Sequence, residues 1–203
     1  MKIFAIARNY IAHAKELNHS VPTKPVYFMK PETSLLKNNQ AFFYPDFSKE
    51  IHYETELVLK ISRVGKNIPL EFAHRYYDEI GIGIDFTARD IQRECIKNGE
   101  PWEISKAFDN SAPIGEFLPK NHFPDLKNIS FHLCINENIV QDGNSSDLIF
   151  EFDTLVAHLS QFNMLKMGDL IFTGTPVGVG PVKIGDRLQA YIENDLLLDF
   201  EVK

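Results

Sequence analysis

The sequence predicts a β-rich α+β fold, and three observations carry that expectation. Residues 51–62 alternate through Tyr53, Thr55, Leu57, Leu59 and Ile61, the period-two signature of a strand. Beyond residue 163, apolar runs are punctuated by the turn pairs Gly168-Asp169 and Gly185-Asp186. Helical and strand patterns do not alternate regularly, which disfavours doubly wound and barrel α/β architectures. With 203 residues, 44% hydrophobic and 24% charged, the chain suits one domain spanning 1–203 that needs no disulfide.

Taken in order, Ile3–Ala7 reads as a strand. Asn9 can cap a short helix through about Asn18, because its side chain can accept from an orphan backbone donor. His19–Pro25 holds two prolines and reads as a loop, and strands follow at 26–29, 41–44 and 51–62. Pro69 opens a helix to about Tyr76, since proline suits a first helical turn, and a strand covers 79–85. Thr87 can cap a second helix that runs to about Asn98 and ends at Gly99. Short strands fill 102–141, Ser145 or Ser146 precedes a helical stretch near 150–163, and the rest is β.

Charge and composition exclude whole classes of function. The net charge is −7 with no block of Lys or Arg, which argues against a nucleic-acid surface. The longest apolar runs, Ile3–Ala7 and Ile80–Ile84, fall far short of the roughly 20 residues a membrane helix needs. Cys95 and Cys134 form no paired motif and read as reduced thiols of a cytoplasmic protein.

Several acids and bases suggest a site. Glu54 and Glu56, two apart on the 51–62 strand, share a face. Their repulsion calls for a cation or basic partner nearby, although spacing alone fits a solvated edge-strand face better. Asp85 closes the apolar run Ile80–Ile84 and projects from a packed scaffold. Three carboxylates without a Cys or His motif suit Mg²⁺, Mn²⁺ or Ca²⁺ rather than Zn²⁺. His13 and Glu16, at i and i+3 on the first helix, read either as a surface pair or as an imidazole oriented for base chemistry. Arg8, Lys30, Arg89 and Lys106 stand at element ends, Lys106 close to Trp102, and such cations either bind anions or are simply solvated. Thr173-Gly174-Thr175-Pro176, with Gly178 and Gly180, lacks the ending of a phosphate loop. It is either a tight β connection or, on the functional reading, a turn that lets the backbone and Thr175 approach a ligand.

In order along the chain come Arg8-Asn9-Tyr10, His13, Glu16, Phe28-Met29-Lys30-Pro31 and Tyr53-Glu54-Thr55-Glu56-Leu57. Gly83-Ile84-Asp85-Phe86-Thr87-Ala88-Arg89-Asp90-Ile91-Gln92, Pro101-Trp102, Lys106-Ala107-Phe108-Asp109 and Thr173–Gly180 follow. The set resembles the fumarylacetoacetate hydrolase (FAH) family, nearest its short acylpyruvase and oxaloacetate-decarboxylase branch. The resemblance implies a rolled mixed β-sandwich with a few short helices, usually a homodimer. It implies that Glu54, Glu56 and Asp85 bind Mg²⁺ or Mn²⁺, with Ca²⁺ as a substitute. His13 and Glu16 then match a water-activating dyad and Lys106 a lysine that positions the water and stabilises charge. Arg8, Lys30, Arg89, Gln92 and Thr175 fall where the family contacts substrate. The implied activity is cleavage of the C–C bond of small 2,4-dioxo acids, by hydrolysis or decarboxylation, through a pyruvate enolate held on the metal. An isomerase of 2-hydroxyhepta-2,4-diene-1,7-dioate and a non-catalytic binding protein are the alternatives. Ala112 and Asn136-Glu137 depart from the family pattern, which often carries Cys and Asn-Gly there.

Overall fold

Ile3–Ala7 and Val26–Lys30 pair antiparallel as strands β1 and β2 at one edge of the principal sheet. The structure, a computed structural model, describes residues 1–12 and 21–203. After β2 come β3 (Leu35–Leu36), β4 (Ile51–Tyr53), β5 (Thr55–Ile61), helix α1 (Leu70–Ala73), β6 (Tyr77–Ile84) and β7 (Thr87–Ala88). Helices α2 (Arg89–Asn98) and α3 (Glu103–Lys106) precede β8 (Ala112–Pro119), β9 (Ser130–Ile135) and β10 (Asn138–Asn144). Helix α4 (Phe152–Phe162) leads to β11 (Leu170–Phe172), β12 (Gly180–Pro181), β13 (Arg187–Ile192) and β14 (Asp195–Glu201).

Three sheets result: a seven-stranded mixed sheet β2-β1-β11-β5-β6-β8-β3, an antiparallel sheet β10-β9-β13-β14 and a small sheet β12-β4-β7. Strand alternation sorts side chains to the two faces of the large sheet. Phe4, Ile6, Leu57, Leu59, Ile80 and Ile82 point into the main core with Phe131, Leu133, Leu188 and Phe200 of the four-stranded sheet. Ile3, Ala5, Val58, Leu170 and Phe172 form a second buried cluster on the opposite face. Removing that much apolar surface from water is the main force holding the layers together. Among the described residues, no helix is long and apolar enough to cross a membrane.

Local structure departs from the sequence expectations at several places. The 51–62 strand is two strands, broken at Glu54, whose carbonyl accepts from Asp85 N–H at 2.8 Å while β4 leaves to join β7 and β12. Segment 41–44 is not a full strand but runs beside the chain's last residues through the parallel bridge Phe42–Val202, with Phe42 N–H donating to the Glu201 carbonyl (2.8 Å) and Tyr44 N–H to that of Lys203 (2.7 Å). Thr87 does not cap α2. It lies in β7, opposite His52, and Ala88 holds the cap position without a side-chain bond. Gly99 ends that helix as expected, at φ 70°, a left-handed conformation that glycine adopts without strain. The helix from Pro69 is a single turn, and α3 lies where short strands were expected. Among the described residues, the Asn9 side chain bonds to distant segments rather than to a helix end. Its Nδ2 donates to the carbonyls of Thr173 (2.8 Å) and Phe150 (3.1 Å), and its Oδ1 accepts from Phe150 N–H (2.8 Å). Residues 13–18 of the expected first helix lie outside the described residues.

Candidate active site and metal centre

The pairing of β5 with β6 builds the acidic centre. Thr55 faces Ile84 and Glu56 faces Gly83, so Asp85, one residue past β6, arrives beside Glu54. Ligand oxygens of Glu54, Glu56 and Asp85 lie within 4.8 Å of one another, and all three residues are buried. The solvated-face reading of Glu54 and Glu56 is therefore excluded by packing that spacing could not reveal.

Basic groups surround these acids. Lys106 Nζ, at the end of α3, spans Glu54 Oε2 (2.7 Å) and Asp85 Oδ2 (2.8 Å). Arg89, which opens α2, donates from Nη2 to Glu54 Oε1 (2.5 Å) and from Nη1 to Gln92 Oε1 (2.6 Å). Lys30, the last residue of β2, lies 2.7 Å from Asp85 Oδ1 as an ion pair whose angles leave that oxygen without a well-directed hydrogen bond. The Lys30 ammonium also donates to Ser111 Oγ (2.9 Å), the Ser111 carbonyl (3.1 Å) and the Lys106 carbonyl. Glu56 has a different partner, Gly174 N–H, which donates to its Oε2 at 2.6 Å. Gly174 stands at φ 106°, where a side chain would be strained and a Cβ would meet Asn9 Cβ at 2.7 Å.

Burial and charge set the protonation tendencies. Burial, reinforced by Asp85 and Glu54, pushes the Glu56 carboxyl well above the usual glutamate range. For Lys106, burial works against the ammonium, but Asp85 and Glu54 outweigh it and hold the pKa above normal. It stays a cation at neutral pH and can donate hydrogen bonds without serving as a base. Lys30 is lowered, because complete burial outweighs the pull of Asp85. Three oxygen ligands at this spacing, one of them resisting ionisation, form a donor set that fits a hard divalent cation. The extra positive charge would ease the repulsion that raises Glu56.

Arg8, Glu54, Glu56, Asp85, Arg89, Gln92, Lys106 and Thr175 line one pocket, with Phe28, Ile96 and Trp102 forming its apolar wall. Arg8 adopts φ 59° immediately after β1, and its Nε is buried with no hydrogen-bond partner among the described residues. Lys30 is not on the pocket wall. It stands behind Asp85, so of the cations expected to touch substrate it is the one the fold withdraws. His13 and Glu16 lie outside the described residues. Gln141 and Ser111, which meet the site residues only through long-range packing, carried no signal in the sequence, while the Gly174 turn did, though not that its amide clamps Glu56.

Fold and site together set a buried carboxylate triad that could hold a metal ion at a pocket lined by Arg8, Arg89 and Lys106. The chain matches the family described as "Fumarylacetoacetate (FAA) hydrolase C-terminal" over residues 2–199, and it belongs to that family of enzymes. It is 38% identical to the mitochondrial oxaloacetate decarboxylase of Dictyostelium discoideum, over 99% of this chain and 93% of that protein. Identity to the mitochondrial oxaloacetate tautomerase FAHD1 of Mus musculus is 36%, over 99% of this chain and 91% of the relative. The crystal structure of fumarylpyruvate hydrolase from Pseudomonas aeruginosa, in complex with Mn²⁺ and pyruvate, superposes with TM-score 0.93 at 35% identity. That match covers 100% of this chain and 89% of the other.

Proposed function

We propose that the protein is a divalent-metal-dependent enzyme that cleaves the C3–C4 bond of small 2,4-dioxo acids, by hydrolysis of acylpyruvates or decarboxylation of oxaloacetate. One observation carries the reading: three buried carboxylates with a ligand geometry for a hard cation, matched by three buried cations on the same cluster. Adding a divalent ion leaves positive charge in excess before Arg8 is counted, which draws an anionic substrate. The relatives named for oxaloacetate chemistry, and the neighbour holding Mn²⁺ and pyruvate, support the same substrate class.

Glu54, Glu56 and Asp85 would hold Mg²⁺ or Mn²⁺, which supplies Lewis-acid polarisation of the 2-oxo group and stabilises the enolate that bond cleavage releases. Arg8, Arg89, Gln92 and Thr175 orient the substrate carboxylates. Phe28, Ile96 and Trp102 form the apolar wall against which the substrate chain lies, and the Lys106 ammonium donates to developing negative charge. In hydrolysis, His13, held by Glu16, takes a proton from water, whose oxygen attacks the C4 carbonyl. The C3–C4 electron pair then passes to C3, forming the pyruvate enolate, and the acyl group leaves as a carboxylic acid. Oxaloacetate needs no attacking water, because C4 departs as CO₂ and leaves the same electron pair on C3.

A second reading, tautomerisation of oxaloacetate, is favoured by the name of the mouse relative and needs only that a proton be lost from the C2 oxygen and gained at C3, or the reverse. Assays of acetylpyruvate, oxaloacetate, enol-oxaloacetate and the heptadienedioate, with Mg²⁺ and then with EDTA, separate the activities. EDTA-sensitive pyruvate formation supports the proposal. Loss of the enol absorbance without pyruvate would replace it with the tautomerase, and dienedioate turnover alone would replace it with the isomerase.

A further inference from the structure

Gln141 lies on β10, in the four-stranded sheet, off the pocket wall and only 2% exposed. A register irregularity between Ile139 and Gln141 in the β9–β10 ladder accompanies its inward placement, as bulges re-aim side chains. Chemistry at both ends settles the orientation of its amide. Oε1 accepts from Thr55 N–H at 2.9 Å, whereas Nε2 lies 3.1 Å from the Pro176 carbonyl, a group that can only accept. In that orientation Nε2 also donates to Thr175 Oγ1 at 2.9 Å. The Thr175 hydroxyl is thereby an acceptor on its Gln141 side. Its own proton has no acceptor among the described residues, and Thr175 lines the pocket.

We propose that Gln141 is a positioning residue that makes the Thr175 hydroxyl a donor to the carboxylate of the bound 2-oxo acid. The inference rests on the reading that this pocket takes a 2-oxo acid. Gln141 never touches the ligand. It acts by occupying the lone pair of Thr175 that faces away from the pocket, so the hydroxyl proton points where the anion binds. The same amide holds the backbone of Thr55, between the ligands Glu54 and Glu56. One side chain thus ties the acidic strand to the loop that carries the anion donor.

A double-mutant cycle tests this by calorimetric titration with pyruvate in saturating Mn²⁺. The four proteins are the wild type, Thr175→Val, Gln141→Met and the double variant. Each single change is expected to weaken pyruvate binding about tenfold or more, the range for a hydrogen bond to a charged group. In the Thr175→Val background, Gln141→Met should cost at least severalfold less than it does alone, because the hydroxyl it orients is already gone and only its bond to Thr55 N–H is left to lose. Losses that multiply would overturn the proposal and reduce Gln141 to a structural residue. If Gln141→Met fails to fold, Gln141→Glu takes its place in the cycle. It keeps an acceptor for Thr55 N–H and the side-chain shape, while its carboxylate captures the Thr175 proton. Its added charge acts on both backgrounds and cancels in the comparison. A wild type that does not bind pyruvate at all overturns this proposal together with the 2-oxo acid reading. Binding with multiplied losses overturns this proposal alone.

Discussion

Glu56→Gln is expected to stabilise the metal-free protein and to abolish its response to metal. The wild-type carboxylate is buried, and its ligand oxygen lies within 4.8 Å of those on Glu54 and Asp85. At an effective dielectric near 20, each like-charge pair at such a distance costs about 3–4 kcal/mol before neighbouring cations offset most of it. Lys30, Lys106 and Arg89 supply that offset through Glu54 and Asp85, while Glu56 accepts from Gly174 N–H, a bond an amide oxygen can replace. A residual gain of about 1–2 kcal/mol raises Tm by roughly 2–8 °C in a domain of this size. Metal at one hundred times its Kd adds about 2.7 kcal/mol to the wild type, or roughly 5–11 °C, and little to the variant. Folding raises the Glu56 pKa, so the folded state favours the protonated form. The metal-free wild type therefore loses stability as pH rises from 4.5 through the raised value, and the variant lacks that slope. Scanning calorimetry from about pH 5 to about pH 8, in EDTA and then in Mn²⁺, reads every arm. A variant that melts below the wild type in EDTA at the alkaline end, or that keeps the Mn²⁺ shift, would refute the reasoning.

Three further outcomes are expected. Lys30→Met removes the ammonium from Asp85, Ser111 and the Lys106 carbonyl and should cost about 3–5 kcal/mol in urea unfolding. A loss below about 1 kcal/mol would mean the buried pair is not holding Asp85. Gly174→Ala, at φ 106° and against Asn9, should cost about 1–3 kcal/mol by the same method and weaken Mn²⁺ binding, because the Gly174 amide holds Glu56. Unchanged stability and affinity would show that the loop shifts freely. His13→Ala should lower acylpyruvate hydrolysis by about a hundredfold or more while sparing decarboxylation, and equal losses would remove water activation as its main role.

Much of this was legible in local pattern, and the rest depends on contacts between distant residues. Period-two spacing set Glu54 and Glu56 together, but not that α2, α3 and the Gly174 loop close over them or that the strand breaks at Glu54 to let β4 diverge. Asp85 was visible as the end of an apolar run, yet its meeting with Glu54 depends on the β5–β6 register. Asn9 carried a capping residue's chemistry and used it on partners 141 and 164 residues away. Gln141 has no local signal at all, since a polar residue on a strand reads as solvent-facing until the opposing loop is known. Lys30 and Lys106 differ little by composition. Only packing puts one behind Asp85 and the other on the pocket wall.

The position of β11 in the large sheet sets a schedule for synthesis. It is inserted between β1 and β5, parallel to the first and antiparallel to the second, although it is made more than a hundred residues after either. On the ribosome, the β1–β2 hairpin and the β5–β6–β8 ladder emerge as separate ribbons, each with an unpaired edge awaiting the same three residues, Leu170–Phe172. The three acids and the lysines are translated long before Gly174 and Thr175 leave the tunnel. Until then the nascent chain holds a carboxylate cluster without its amide clamp, and closing the sheet and completing the pocket become one late event.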